Sequence, residues 1–579
     1  MAKEENAMLE IQKFPENMSA LPINREEPRR CLLSGLFEEA TDVGGTVRRF
    51  YSYLTPGLCY NQPCIIVAAP ENTDGPEYLE SSPWIAFADE HKVFLFLAVP
   101  ENGKWDLNGM DADYFNKVYL QVNSRRSYVT MQDNIYAFGV GTGATIAQQA
   151  VMKMSTEWSG LATFGDLEPQ TLLNAAATAV AENTGRTELF ISAAKVSVPV
   201  WMSWAKNCGE NQQVCTYWKT MNEVDDECFS NSWADEIYFP NKVVKKSQIN
   251  EEHIAQVRVT NDFVGEPDQK RLNTVWEYLR LACRHRGFGV KQLRYRIDPE
   301  KYGFTFHTME HQGFRRCWYE YVPQKVRESG TPAPLVLCMH GRGGTAESFI
   351  SLSGMSRVAE ERNFIVVFPE AGVSQQRPDA YRNLLLWNGS YDGVKTDDTD
   401  FLLKLIEDVK SRNAVDTTRI YPCGQSSGGM MTTSLALKAP QLFAAAAPWS
   451  ALTDPDTELV LPDRLEPAVP FLFLFGDKDF LCAGESGGEL HVSDRIEAFL
   501  TNLVKIYGLE TEPGTYQVGE ITYYVYRNAK GTPMLTVGRV KDMPHANYPR
   551  ESWITYDEFL SKFSRAKDGT LLYMGKRAI

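Results

Sequence analysis

Residues 424–428 read Gly-Gln-Ser-Ser-Gly, a G-x-S-x-G pentapeptide. A strand-like RIYPC leads into it and a helix-like GGMMTTSLALKA leaves it. A serine on a sharp strand-to-helix turn has its hydroxyl lifted clear of the sheet, and the flanking glycines give that crowded turn room. Ser426 is therefore the candidate nucleophile. A serine hydroxyl needs a base to take its proton, and on such a turn the acid and then the histidine follow the serine in chain order. Of the eight histidines, only His491 and His545 come after the strand-like VPFLFLFG. His491 reads as a residue at the start of the helix-like DRIEAFL. His545 lies in the loop DMPHANYP, between MLTVGRV and SWITYDEFLSKF, and loops at strand ends carry catalytic side chains in parallel sheets. His545 is the candidate base. The acid belongs at the end of VPFLFLFGDKDF, where Asp477 and Asp479 are tied on spacing alone.

Attack by Ser426 on an acyl carbon would build negative charge on the carbonyl oxygen, which needs two backbone donors. Ser427, directly after the nucleophile, supplies one N–H. The glycine-rich loop His340-Gly341-Arg342-Gly343-Gly344 supplies the other, through the N–H of Arg342. Trp387, Asn388 and His340 are the candidate substrate-binding side chains; Trp387 and Asn388 lie in a longer loop between the second strand and the nucleophile turn. Hydrolysis on this set of groups calls for no metal and no organic cofactor.

These groups need strands to hold them, and the chain supplies its strands twice. Arg48-Arg49-Phe50-Tyr51 matches Arg315-Arg316-Cys317-Trp318, CIIVAAP from Cys64 matches LVLCMHG from Leu335, and VFLFLAVPE from Val93 matches FIVVFPE from Phe364. NIYAFGVGTGA from Asn134 then matches RIYPCGQSSGG from Arg419, and SVPVWMSWAKNC from Ser197 matches AVPFLFLFGDKD from Ala468. Five matches in one order predict a tandem duplication. Each copy alternates continuous apolar runs with amphipathic stretches, the pattern of strands buried on both faces and joined by helices. The expectation is a tail or interface arm over 1–25, one α/β domain over 26–290 and a second over 291–579, joined near Arg286–Gly289 and packed directly together.

The HGRGG loop, DDTDFL at Asp397–Leu402, VDTTRIYPCGQSSGGMM from Val415, the Gly476–Asp479 turn and His545 followed by Pro549 resemble the polyhydroxybutyrate depolymerase and feruloyl esterase family of the α/β-hydrolase superfamily. The resemblance spans about Gly313–Phe563. It implies that each copy is a mostly parallel sheet flanked by helices, that Asp479 rather than Asp477 is the acid, and that the substrates are hydroxyalkanoate, cinnamoyl or acetyl esters. Many members of that family are secreted and disulfide-bonded. The eleven irregularly spaced cysteines here, with no CxxC pair, predict reduced thiols instead.

The first copy lacks the chemistry. Gly141 falls at the nucleophile position, Lys206 and Cys208 fall at the positions of Asp477 and Asp479, Ala69-Pro70 replaces His340-Gly341, and VTNDFVGEP from Val259 has no histidine. The expectation is one catalytic and one inert copy. Peptidase or acyltransferase chemistry would use the same triad, and a noncatalytic scaffold is the alternative of another class.

Composition bounds the partners. Fifty-nine basic against 74 acidic residues give a net charge of −15, which disfavours nucleic acid and anionic membrane surfaces. The charged N-terminus has no apolar segment of signal-peptide length, which predicts a cytoplasmic protein unless a signal has been removed. A small or oligomeric ester is the expected partner, with self-association through the first domain.

Overall fold

The computed structural model describes residues 9–15, 23–124, 134–177, 181–183, 190–192, 196–205, 209, 211–241, 252–263, 265–285, 292–375, 383–391, 393–453, 466–486 and 488–579. The predicted junction near Arg286–Gly289 lies outside the described residues.

Two ten-stranded mixed sheets organise the chain, each flanked by helices, so that the molecule is a tandem pair of α/β-hydrolase-like domains. In the first, a hairpin (Gly35–Val43, Thr46–Leu54) leads into Phe94–Ala98, Cys64–Ala68, Ile135–Val140, Gly160–Phe164, Val200–Ser203 and Val257–Thr260. In the second, a hairpin (Thr305–His311, Phe314–Tyr321) leads into Ile365–Pro369, Ala333–Met339, Val415–Gln425, Ala447–Trp449, Phe471–Gly476 and Pro533–Val540. These eight strands take the same spatial order in both sheets, which differ in their edge strands.

The central runs form parallel strands because they must bury both faces. Cys64, Ile66 and Ala68 pack into one apolar cluster while Ile65 and Val67 pack into another, on the opposite side of the sheet. Cys64 and Cys338 are wholly buried and act as small apolar side chains.

Register makes the correspondence of the copies exact to the residue. Ala68 pairs with Gly139 in the first sheet as Met339 pairs with Gly424 in the second. Counting on from those pairs aligns Ala69 with His340, Pro70 with Gly341 and Gly141 with Ser426.

The halves are tied together by the segment between the first-sheet strands Ile11–Lys13 and Gly35–Val43. The Ile23 N–H donates to the Tyr391 hydroxyl at 3.2 Å, and the Arg315 N–H donates to the Arg25 carbonyl at 2.9 Å. Arg29 meets Glu370 at 3.1 Å and Glu347 at 3.8 Å. Ile23, Arg25 and Arg29 thus contact the second half, while the Arg29 carbonyl accepts from the Tyr60 N–H of the first. A short hairpin (Ala282–His285, Gln292–Tyr295) bridges the halves, with Arg284 buried and donating to the Trp158 and Ser197 carbonyls.

Candidate active site

Ser426 ends the strand Val415–Gln425 and precedes the helix Ser427–Lys438 with φ 57° and ψ −121°. That conformation is costly for a residue with a Cβ and marks a strained turn. Its flanking glycines are required sterically. A Cβ on Gly424 would come 2.6 Å from the Met339 carbonyl oxygen, and one on Gly428 would come 2.2 Å from the same atom. The turn is held by the Ser426 N–H donating to the Trp449 carbonyl at 2.8 Å.

Asp479 sits in the turn after the strand Phe471–Gly476, and His545 in the loop after the strand Pro533–Val540. These parallel neighbours deliver the two loops side by side. Two backbone bonds continue the pairing past the sheet: Asp477 N–H to the Val540 carbonyl at 2.9 Å, and Lys478 N–H to the Met543 carbonyl at 3.0 Å. Gly476 permits that approach, since a Cβ there would fall 1.9 Å from the Met543 carbonyl oxygen.

The result is a connected line of groups. His545 Nε2 is 2.9 Å from Ser426 Oγ, and His545 Nδ1 is 2.9 and 3.0 Å from the two Asp479 oxygens. A carboxylate only accepts, so Nδ1 carries the proton and Nε2 accepts from the serine hydroxyl. Asp479 is fully buried and also accepts from the Leu481 N–H at 2.9 Å. Asp477, the other candidate acid, makes no bond to His545. Burial pushes its carboxyl above the ordinary range, and the Asp542 backbone opposes that shift. His491 is exposed and forms no part of this line.

Around the line, Ser427 is the first residue of its helix, where N–H groups have no intrahelical acceptor. In the glycine-rich loop, Gly343 donates to the Leu385 carbonyl at 2.8 Å and Gly344 to the Gly341 carbonyl at 3.0 Å, so both N–H groups are already engaged. Gly341 lies against the nucleophile: a Cβ there would stand 3.3 Å from Ser426 Cβ.

The predicted substrate-binding side chains are instead turned to holding loops. The His340 ring is buried, with Nδ1 donating to the Gly341 carbonyl at 2.7 Å and Nε2 accepting from the Ala371 N–H at 3.0 Å; burial lowers its pKa. Trp387 is buried and donates through Nε1 to the His340 carbonyl at 2.8 Å. The Asn388 amide accepts from the Asp398 N–H at 3.2 Å and reaches the Met431 sulfur at 3.3 Å. His340 and Trp387 thus hold the glycine-rich loop, and Asn388 ties its own turn to Asp398 and Met431. Residue type alone does not reveal which backbone groups a buried polar side chain must satisfy.

A residue that sequence reasoning missed stands at the mouth. Phe480 is 59% exposed, and its ring meets His545 edge-on at 5.0 Å between centroids. The available signal was an aromatic residue immediately after the candidate acid.

The first copy repeats the scaffold without the groups. Gly141 has φ 56° and donates to the Phe164 carbonyl at 2.8 Å, the counterpart of the Ser426 bond. Pro70 stands beside it where Gly341 stands beside Ser426. Lys206 and Cys208 lie outside the described residues. Among the described residues no helix is long and apolar enough to cross a membrane.

A model of the prolyl oligopeptidase family matches residues 350–461. Probable acetylxylan esterase A of Neosartorya fischeri is 30% identical over 136 residues, 23% of this chain and 34% of that protein. Poly(3-hydroxyalkanoate) depolymerase C of Paucimonas lemoignei is 26% identical over 256 residues, 39% of this chain and 57% of that protein. Feruloyl esterase B of Talaromyces funiculosus is 30% identical over 135 residues, 23% and 36% of the two chains. The chain thus spans between about a third and just over half of these relatives' lengths. Among solved structures, an acetyl xylan esterase from Aspergillus awamori superposes with TM-score 0.32 at 14% identity, over 44% of this chain and 98% of that one. Together the sequence relatives point to the α/β-hydrolase esterase superfamily rather than to one named family within it.

Proposed function

We propose that the protein is a serine carboxylic ester hydrolase whose second half, residues 291–579, carries the catalytic site. Ser426 attacks the ester carbonyl while His545 Nε2 takes its proton. Asp479 holds the imidazole in the productive tautomer and stabilises its charged form. The N–H groups of Ser427 and Arg342 receive the oxyanion. His545 then protonates the leaving alcohol, and water reverses the sequence to free the acid.

The observation that carries this is the unbroken line from Ser426 Oγ through His545 to buried Asp479, each link at 2.9–3.0 Å. The names of the relatives favour acetyl, hydroxycinnamoyl or hydroxyalkanoate esters as substrates. Hydrolysis of the corresponding p-nitrophenyl and methyl esters tests this, with Ser426→Ala and His545→Ala as controls. Activity on at least one ester class that both variants abolish is expected, and equal activity in Ser426→Ala contradicts it.

Peptidase chemistry is the second reading, favoured by the match of residues 350–461 to the prolyl oligopeptidase family. An amide analogue of the preferred ester separates the two: turnover comparable with the ester would favour the peptidase.

A further inference from the structure

Two consecutive residues hold both ends of the glycine-rich loop. At its start, the Ala371 N–H donates to His340 Nε2 at 3.0 Å. At its end, the Glu370 carboxylate accepts from the Ala346 N–H at 3.1 Å. Ala346 opens the helix Ala346–Ser353, where N–H groups lack an intrahelical acceptor and a carboxylate is favoured. Arg342, whose N–H receives the oxyanion in the reaction proposed above, lies between these two points. We propose that Arg29, a residue of the first half of the chain, is a positioning residue for that reaction. It holds Glu370, and through Glu370 it holds the loop, a role that rests on the esterase reading.

Arg29 is placed for this. Its carbonyl accepts from the Tyr60 N–H at 2.9 Å, and Arg30 bridges to Cys59, so its backbone belongs to the first half. Its guanidinium crosses to the second half and meets Glu370 at 3.1 Å and Glu347, in the first turn of that same helix, at 3.8 Å. Glu370 is 2% exposed, and a carboxylate so buried is costly without a cation. Arg316 serves other groups, donating to the Glu370 backbone carbonyl at 2.9 Å and pairing with Asp398 at 2.6 Å.

The first half shows what the pair adds. There Arg48 donates to the Val99 carbonyl at 3.4 Å and pairs with Asp111 at 2.6 Å, as Arg316 does with Glu370 and Asp398. Trp105 donates to the Ala69 carbonyl at 2.8 Å, as Trp387 does to the His340 carbonyl. These braces are common to both halves. Counting on from the pairs Ala68–Ala98 and Leu337–Val367, however, puts Val99 at the place of Glu370. Glu101, the match by sequence, lies two residues further on with a half-exposed side chain. The half that has Gly141 at the nucleophile position therefore has no carboxylate behind its loop, and the half that has Ser426 does.

Steady-state kinetics on the full chain, with the ester that wild type turns over best, test this. Arg29→Met should lower kcat about tenfold to a hundredfold, the effect of a displaced oxyanion donor, and leave KM within about threefold. Arg29→Lys, which keeps the charge, should bring kcat back to within about threefold of wild type. Glu347→Gln weakens the same joint without touching Glu370 and should leave kcat within about threefold. Glu370→Asp keeps a carboxylate for Arg29 but draws it back from Ala346, and should lower kcat about tenfold; it decides the matter if circular dichroism shows Arg29→Met unfolded at the assay temperature. With wild type active, four results would overturn the role of Arg29: unchanged kcat in folded Arg29→Met or in Glu370→Asp, a loss confined to KM, no recovery in Arg29→Lys, or a loss in Glu347→Gln as large as in Arg29→Met. A wild type that neither turns over any ester nor takes a phosphonate adduct would overturn the esterase reading, and this role with it.

Discussion

Gly141 and Ser426 occupy the same strained turn in the two halves, with φ 56° and 57° and the same 2.8 Å bond to the neighbouring strand. The inert copy has kept the backbone of a nucleophile turn and lost its hydroxyl. Gly141→Ser should therefore not restore a site. A Cβ there would sit 3.3 Å from the Pro70 Cβ, tighter than ordinary contact, and no histidine follows in 259–267. The variant should lose roughly 1–2 kcal/mol of stability from the positive φ, measured by urea denaturation. A gain of reactivity toward a serine-directed phosphonate would contradict the inert assignment.

Asp479 and Asp477 are two residues apart, yet only Asp479 touches His545. Asp479→Asn should lower kcat by about 10³–10⁴, because the imidazole loses its oriented tautomer. Asp477→Asn should stay within a few-fold of wild type. Paired steady-state kinetics decide this, and equal losses in the two variants would remove the distinction.

Phe480 places an exposed ring beside the candidate base, within reach of a bulky group on a bound ester. Phe480→Ala should raise KM for esters of aryl or sugar alcohols by about fivefold to tenfold, as loss of one stacking contact predicts. Methyl esters of the same acid should change little, and Phe480→Trp should behave as wild type. A uniform change across all leaving groups would mean that the ring serves only the fold.

Glu551 imposes a pH dependence on stability. Burial raises its carboxyl to about 8 from an ordinary value of 4.5, against the opposing bonds from Asn547 and the Tyr548 N–H. The native state holds this proton where the unfolded state has released it. The contribution to stability is therefore complete below about pH 4.5 and is lost as pH rises toward 8. Glu551→Gln removes that titration. The difference in thermal midpoint between variant and wild type should shift in the variant's favour from pH 5 to pH 8, and a constant difference would exclude the buried acid as its source.

The central strands and the nucleophile turn are legible in the sequence because both rest on local pattern. Runs such as Cys64–Ala68 and Leu335–Met339 are apolar at every position, and a serine between glycines after a strand has few other conformations. His545 was legible by elimination from a short list of histidines. Spacing alone does not separate Asp477 from Asp479, since both lie in one turn; the family resemblance favours Asp479, the one whose carboxylate meets His545. The tasks of His340, Trp387 and Asn388 were hidden for a related reason. Their partners, the backbones of Ala371, His340 and Asp398, come together only when separate loops fold over one another. The contact of Arg29 with Glu370 spans two domains and leaves no mark on either local pattern.

The central claim is that the chain carries two turns of one kind and one reactive hydroxyl. Intact-protein mass spectrometry after treatment with a fluorophosphonate measures this directly. Wild type should gain one adduct per chain, mapped to Ser426, and Ser426→Ala should gain none. A second adduct in wild type, or a surviving adduct in Ser426→Ala, would contradict it.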